Sequence, residues 1–85
     1  MKNLTKYVDQ LNFARKLMKQ PLLDASNLSR TDIDGICARL SSDFSPENLT
    51  HDGELSRAQV QQRVKLLNGV VSDLAKLGHT VEILD

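Results

Sequence analysis

The chain has 85 residues, with eleven basic and eleven acidic side chains, and Cys37 is its only cysteine. This composition excludes an internal disulfide and argues against strong non-specific nucleic-acid binding, which depends on neutralising many phosphates. No apolar run approaches the roughly 20 residues that a membrane span needs, so we expect one small cytoplasmic domain over residues 1–85 with no membrane contact.

The first predicted helix spans about residues 3–19. Phe13 and Leu17 lie almost opposite its main apolar face and form a second, smaller patch. Leu22 and Leu23, just beyond Pro21, would cover this patch if the chain folded back; otherwise the patch is predicted to be a partner surface. The main apolar face consists of Leu4, Tyr7, Val8, Leu11, Ala14 and Met18.

The second predicted helix spans about residues 30–43. Ser29 or Thr31 is expected to begin it, and Ser29 and Asp32 have the spacing of a capping box, which satisfies two backbone N–H groups at a helix start. Ser45 and Pro46 then favour one short helical turn over 45–49. A narrow apolar stripe, typical of one face packed on a core, contains Ile33, Ile36, Cys37, Leu40 and Phe44.

The longest predicted helix begins after Ser56, a good N-cap, and ends near residue 77, before Gly78. Its apolar residues cover an arc of about 180°, well beyond the ~100° stripe of an ordinary surface helix. Such a helix needs neighbours on two sides, supplied by the shorter helices or by a second copy of the chain. The arc contains Val60, Val64, Leu66, Leu67, Val70, Val71, Leu74, Ala75 and Leu77.

Arg63 and Gly69 interrupt the pattern of this helix. Arg63 falls inside the apolar arc, where its stem can lie on apolar surface while its head reaches water. The alternative is an ion pair with one of the acidic residues Asp32, Asp34 or Asp43. Gly69 lies outside the arc and either permits close approach by another element or is simply tolerated.

After this helix, Val81 and Ile83 alternate with polar residues, as in a strand. We expect residues 79–85 to form an extended tail packed on the helices, or to pair with the same segment of a second copy. The elements together predict an all-α fold: a small bundle of three to four helices with a long C-terminal helix and a short extended tail.

The segment LTHDGELS (49–56) resembles the second half of a calcium-binding loop. With its glycine at the sixth position, Asn48 would be the first ligand and Gln59 the twelfth, where a bidentate glutamate is expected. Asp52 would then be the only side-chain carboxylate that reaches the ion. We therefore interpret the segment as a turn that leads into the helix start at Ser56, and we expect no bound metal.

Catalytic motifs are missing from the sequence. Cys37 lies on the apolar stripe between Ile36 and Leu40, where a thiol is unreactive. The chain has no Gly-x-Ser-x-Gly element, no phosphate-binding glycine loop and no paired-glycine dinucleotide fingerprint. We expect a protein without enzymatic activity and without a cofactor.

Charge is distributed unevenly along the chain. Residues 1–20 carry five basic side chains and one acidic, whereas residues 21–55 carry two basic and seven acidic. The two segments face each other within the fold, are separately solvated, or form a bipolar surface that steers a charged partner.

The favoured function is a non-enzymatic protein-interaction module with an adaptor or regulatory role. The wide apolar arc, the second patch of the first helix and the uneven charge all favour it. The partner is another protein or a second copy in a homodimer, because small domains often pair for stability. The residues predicted to contact it are Phe13, Leu17, Leu66, Val70 and Leu77.

The alternative function is a helical nucleic-acid-binding regulator. The residues that would contact phosphates are Lys2, Lys6, Lys16 and Lys19. Asp32 and Asp34 argue against insertion of the second helix into a groove, because phosphates repel them.

Overall fold

The computed structural model describes residues 1–50 and 53–81. Over these ranges the fold is all-α, as predicted: α1 (Lys2–Leu17), α2 (Arg30–Asp43), α3 (Pro46–Thr50) and α4 (Arg57–Lys76). The predicted bounds of the three main helices, 3–19, 30–43 and 56–77, agree with the observed ones to within two residues. None of the helices in the described part of the chain is long and apolar enough to cross a membrane.

The long helix α4 is the centre of the structure. Helices α1, α2 and α3 all pack on it, whereas no Cα atom of α1 lies within 8 Å of one of α2. The prediction that the wide arc of α4 needs several neighbours is therefore confirmed, and the neighbours belong to the same chain. The buried core consists of Leu4, Tyr7, Val8, Ile33, Ile36, Leu40, Leu67, Val70 and Leu74.

Two capping boxes set the starts of α2 and α4. The hydroxyl of Ser29 accepts from the backbone N–H of Asp32, and the Asp32 carboxylate accepts from the backbone N–H of Ser29. Ser56 and Gln59 form the same pair at α4, with Gln59 Oε1 accepting from Ser56 N at 2.9 Å. The predicted caps at both serines are confirmed.

Residues proposed as the ends of a calcium loop have other roles in the structure. Asn48 lies within α3 and donates its side-chain amide to the backbone carbonyl of Ser42 at 2.8 Å. Gln59 is engaged in the α4 capping box. Asp52, the one candidate carboxylate ligand, lies outside the described residues. The first three positions of the proposed loop, residues 48–50, belong to α3 and so do not form the start of an open loop.

The start of α1 is held by α4. Met1, at the N-cap, provides no side-chain cap, and the buried carboxylate of Asp73 accepts instead from the backbone N–H of Leu4 at 3.0 Å. A Cβ atom added to Gly69 would lie 2.6 Å from the Cγ of Asn3, so the missing side chain leaves room for the Asn3 side chain of α1. Of the two alternatives for Gly69, the structure agrees with close approach by another element, made here by a side chain and not by backbone.

Beyond α1 the chain turns sharply and runs back along the helix. Lys19 adopts a left-handed conformation, with φ of 55°. The side-chain amide of Asn12 then makes two hydrogen bonds of 2.8 Å with the backbone of Leu23. Asn12 lies ~100° or more around α1 from Phe13 and Leu17. The returning segment therefore passes along a different side of the helix and leaves the second patch exposed.

The helix α4 ends as predicted before Gly78, which has a positive φ of 86°. Residues 79–81 are neither helix nor strand, and Val81 packs partly against the core. The rest of the predicted extended tail, residues 82–85, lies outside the described residues.

Candidate interaction surface

The residues predicted to contact a partner do not form one surface. Phe13 and Leu17 lie at the C-terminal end of α1, whereas Leu77 lines a hollow with Met1 at the opposite end of that helix. Leu66 is half-buried in a third place. The prediction for Val70 is wrong, because Val70 is fully buried in the core and exposes no surface to a partner.

An exposed apolar surface, which we call the α1 patch, covers the C-terminal end of α1 and the turn after it. Its members are Phe13, Leu17, Met18 and Leu22, which are 70%, 72%, 61% and 60% exposed. Phe13 and Leu17, the second patch predicted from the sequence, are therefore not covered by Leu22. The interpretation in which Leu22 and Leu23 hide them is wrong. Leu23 instead turns inward and packs against the core.

A groove of about 730 Å³ lies between α1 and α2, beside the α1 patch. Its α1 wall includes Leu11, Ala14 and Met18, the last three members of the predicted main face. Ala14 and Met18 are exposed, because only the N-terminal half of α1 is buried in the core. The groove is thus a continuation of the core stripe that no helix within residues 1–50 and 53–81 covers.

A polar cluster forms the inner end of the groove. Asp43, only 4% exposed, accepts a hydrogen bond of 2.5 Å from the hydroxyl of Tyr7. One Asp43 oxygen lies 3.2 Å from Arg39 Nε and 3.8 Å from a terminal nitrogen of Arg63. The alternative of an ion pair for Arg63 is therefore confirmed. Among the described residues, no acceptor reaches the buried Nε of Arg63.

The cluster carries a net positive charge. Burial raises the pKa of Tyr7 well above its usual 10.0, and the hydrogen bond to Asp43 and the charge of Asp43 raise it further. Tyr7 is therefore neutral at physiological pH, and one carboxylate faces the two guanidinium groups of Arg39 and Arg63. A surplus of one positive charge remains at the inner end of the groove.

The lysines of the nucleic-acid alternative are all exposed. Lys2, Lys6 and Lys16 fall within an arc of ~80° on α1, so they share one solvent face. Asp9 lies within that arc, and Lys19 lies beyond the end of the helix. Three of the four lysines thus lie on one face of α1, and the carboxylate of Asp9 lies among them.

Cys37 is half-buried, and burial raises the pKa of its thiol, as does the nearby negative charge of Asp34. Both effects disfavour the reactive thiolate. In residues 1–50 and 53–81, no group of three or more His, Cys, Asp or Glu side chains is placed to hold a metal ion.

Sequence reasoning missed the partnership of Tyr7, Arg39 and Asp43. One signal was present: Asp43 falls only ~20° around α2 from the buried Ile36. A tyrosine on a core face also needs a hydrogen-bond partner for its hydroxyl. Together these two observations predict a buried pair of Tyr7, the only tyrosine, with a carboxylate, although they do not specify which carboxylate it meets.

Comparison with protein-family models, with curated proteins and with solved structures finds no match to this chain. Function therefore has to be inferred from the residues themselves, above all from the α1 patch and the groove beside it.

Proposed function

We propose that this protein is a non-enzymatic interaction module of the cytoplasm, with an adaptor or regulatory role, that binds a partner protein through the α1 patch. The supporting observation is that Phe13, Leu17, Met18 and Leu22 are each at least 60% exposed. All four lie within residues 13–22, at the C-terminal end of α1 and in the turn after it, and a concentration of exposed apolar side chains is typical of protein-binding sites.

The packing of the rest of the chain also supports the proposal. The core on α4 is complete without the α1 patch, since Ile36, Leu40, Leu67 and Leu74 are all at most 2% exposed. The apolar residues of the patch therefore contribute little to folding. A role in binding explains why residues 13–22 expose four large apolar side chains to water.

The test is affinity capture from native cytosol with three forms of the full chain. The Phe13→Ser/Leu17→Ser double variant removes the two most exposed apolar side chains of the patch. Leu77→Ser is the matched control, because Leu77 is also exposed but lies near Met1 at the other end of α1. We expect the wild type and the control to retain the same protein partner and the double variant to lose it. Loss only in the control would contradict the proposed surface.

A nucleic-acid-binding regulator is the second candidate function. The observation that favours it is the shared face of Lys2, Lys6 and Lys16, with Phe13 on the same side of α1. Its test is binding of duplex DNA at low salt, where phosphate contacts are strongest. Binding that weakens steeply with salt and is lost in a Lys2→Gln/Lys6→Gln/Lys16→Gln variant would favour it over the protein partner.

A further inference from the structure

The groove and the α1 patch form one continuous surface. Phe13 and Met18 belong to both, because they line the groove and are also largely exposed. A small molecule that filled the groove of about 730 Å³ would leave Leu17 and Leu22 in water. The occupant that covers the whole surface is therefore larger than the groove, which points to a segment of a protein.

The charge around this surface is positive. Arg39 and Arg63 share the single carboxylate of Asp43 at the inner end. Arg15 and Asp32, also in the groove wall, balance each other, so the wall keeps a surplus of one positive charge. Lys16 and Lys19, next to Leu17 and Met18 in the sequence, are exposed and add positive charge at this end of α1. An occupant that matches this surface brings acidic groups to it.

A second copy of this chain does not match the surface in a closed dimer. A two-fold interface places the same surface on both sides, so the surplus positive charge of the groove would oppose the same charge of the second copy. A head-to-tail contact would bring acidic residues to the groove, but it would leave one patch uncovered unless it closed into a ring. The charge therefore favours a different chain.

We propose that an acidic amphipathic helix of a partner protein lies in the groove between α1 and α2. Its apolar side chains contact Leu11, Ala14 and Met18, and one of its carboxylates binds Arg39, whose side chain is 61% exposed. Arg63 adds positive charge from the groove floor. Helices that bind in such grooves present apolar side chains at spacings of three and four. The inference rests on the proposed function and specifies its partner.

The experiment is selection of randomised 16-residue peptides on the immobilised full chain, followed by fluorescence anisotropy with the selected consensus peptide. We expect selected sequences to combine apolar residues at helical spacing with net negative charge. Replacing their acidic residues with glutamine should weaken binding about tenfold, the effect of losing one charge-assisted contact. Selected peptides that are neutral or basic, or that bind equally after this replacement, would overturn the proposal.

Variants of the full chain test the same contact from the other side. Arg39→Gln and Met18→Ser should each weaken the consensus peptide about tenfold, whereas Leu77→Ser should leave its affinity unchanged. Because Arg39 also pairs with Asp43, Arg39→Lys serves as a second variant that keeps the charge. Affinity restored in part by lysine supports the carboxylate contact, and equal affinity in all three Arg39 forms contradicts it.

Failure of this inference is distinguishable from failure of the proposed function. If cytosolic capture depends on Phe13 and Leu17 but the selected peptides are not acidic, the interaction module stands and the acidic helix is wrong. Light scattering on the full chain tests whether a second copy of the chain is the occupant. A dimer that Met18→Ser dissociates would identify a second copy as the occupant and overturn the proposal.

Discussion

The two halves of α1 share one apolar pattern and have opposite surroundings. In the N-terminal half, Leu4, Tyr7 and Val8 are at most 2% exposed on the core that α4 provides. In the C-terminal half, Ala14 and Met18 continue the same stripe and are exposed. Periodicity therefore identifies the residues that share a face, but the position of the neighbouring helix decides which part of that face is buried.

Specific contacts hold the N-terminal half of α1 against the core and leave the C-terminal half exposed. Asp73 of α4 accepts from the backbone N–H of Leu4 and holds the start of α1 against the core. At the other end, Asn12 binds the backbone of Leu23 and directs the returning chain away from Phe13. These contacts leave the C-terminal half of α1 exposed, and we interpret its exposed apolar side chains as a binding surface.

The largest expected effect comes from truncating one leucine in each half. Leu4→Ala leaves a cavity in the core and should lower the free energy of unfolding by about 3 kcal/mol. Leu17→Ala removes an exposed side chain on the same helix and should change it by less than about 0.5 kcal/mol. Urea unfolding followed by circular dichroism measures both. Similar losses in the two variants would mean that the α1 patch is needed for folding.

The anchor of the N-terminal half is tested by Asp73→Ala. This change leaves the Leu4 N–H without its acceptor and should lower the free energy of unfolding by about 2 kcal/mol, measured in urea. Asp73→Asn is the matched variant, because its carbonyl oxygen can still accept but the negative charge at the helix start is lost. We expect an intermediate loss. An unchanged stability in the alanine variant would show that α4 does not hold the start of α1.

The contact between α1 and the end of α2 is tested by Tyr7→Phe. This change should lower the free energy of unfolding by about 1.5 kcal/mol, because Asp43 loses a hydrogen bond. The pKa of Tyr7 is raised in the folded state, so its contribution is fully present below pH 10 and is lost as the pH rises above that value. Unfolding should therefore become easier above pH 10 in the wild type. Since Tyr7 is the only tyrosine, the phenylalanine variant should lack this part of the decline. Identical pH profiles for the two proteins would contradict the raised pKa.

The smallest expected effect lies just beyond the exposed half. Lys19 has a left-handed backbone, which glycine adopts without steric cost. Lys19→Gly should therefore raise the free energy of unfolding by about 0.5 kcal/mol. Lys16→Gly, in the last turn of α1, is the control and should lower it by a similar amount or more. A loss in both variants would mean that the turn at residue 19 differs from the one described.

Local features of the fold could be predicted from the sequence. The helix bounds, the caps at Ser29 and Ser56 and the stop at Gly78 depend on neighbouring residues and were predicted accurately. The wide arc of α4 also indicated correctly that this helix needs neighbours on two sides, but it did not show whether the shorter helices or a second copy supply them. These predictions succeed because spacing and capping chemistry act over a few residues.

Contacts between distant parts of the chain could not be predicted in the same way. The Asp73–Leu4 and Tyr7–Asp43 pairs join residues 69 and 36 positions apart, and no local pattern specifies such pairs. The same limit explains the errors at Val70 and Leu22. Both are apolar and lie on plausible faces, but their burial depends on where α1 crosses α4 and on the side that the returning chain follows.

Methionine-methyl NMR tests the binding surface most directly, because the chain has only two methionines and they lie on competing surfaces. Met18 lines the groove between α1 and α2, whereas Met1 lies beside Leu77 at the other end of α1. When the captured partner is added to the full chain labelled in its methionine methyl groups, the Met18 signal should shift and the Met1 signal should stay in place. A shift of Met1 with an unchanged Met18 would contradict binding at the C-terminal half of α1.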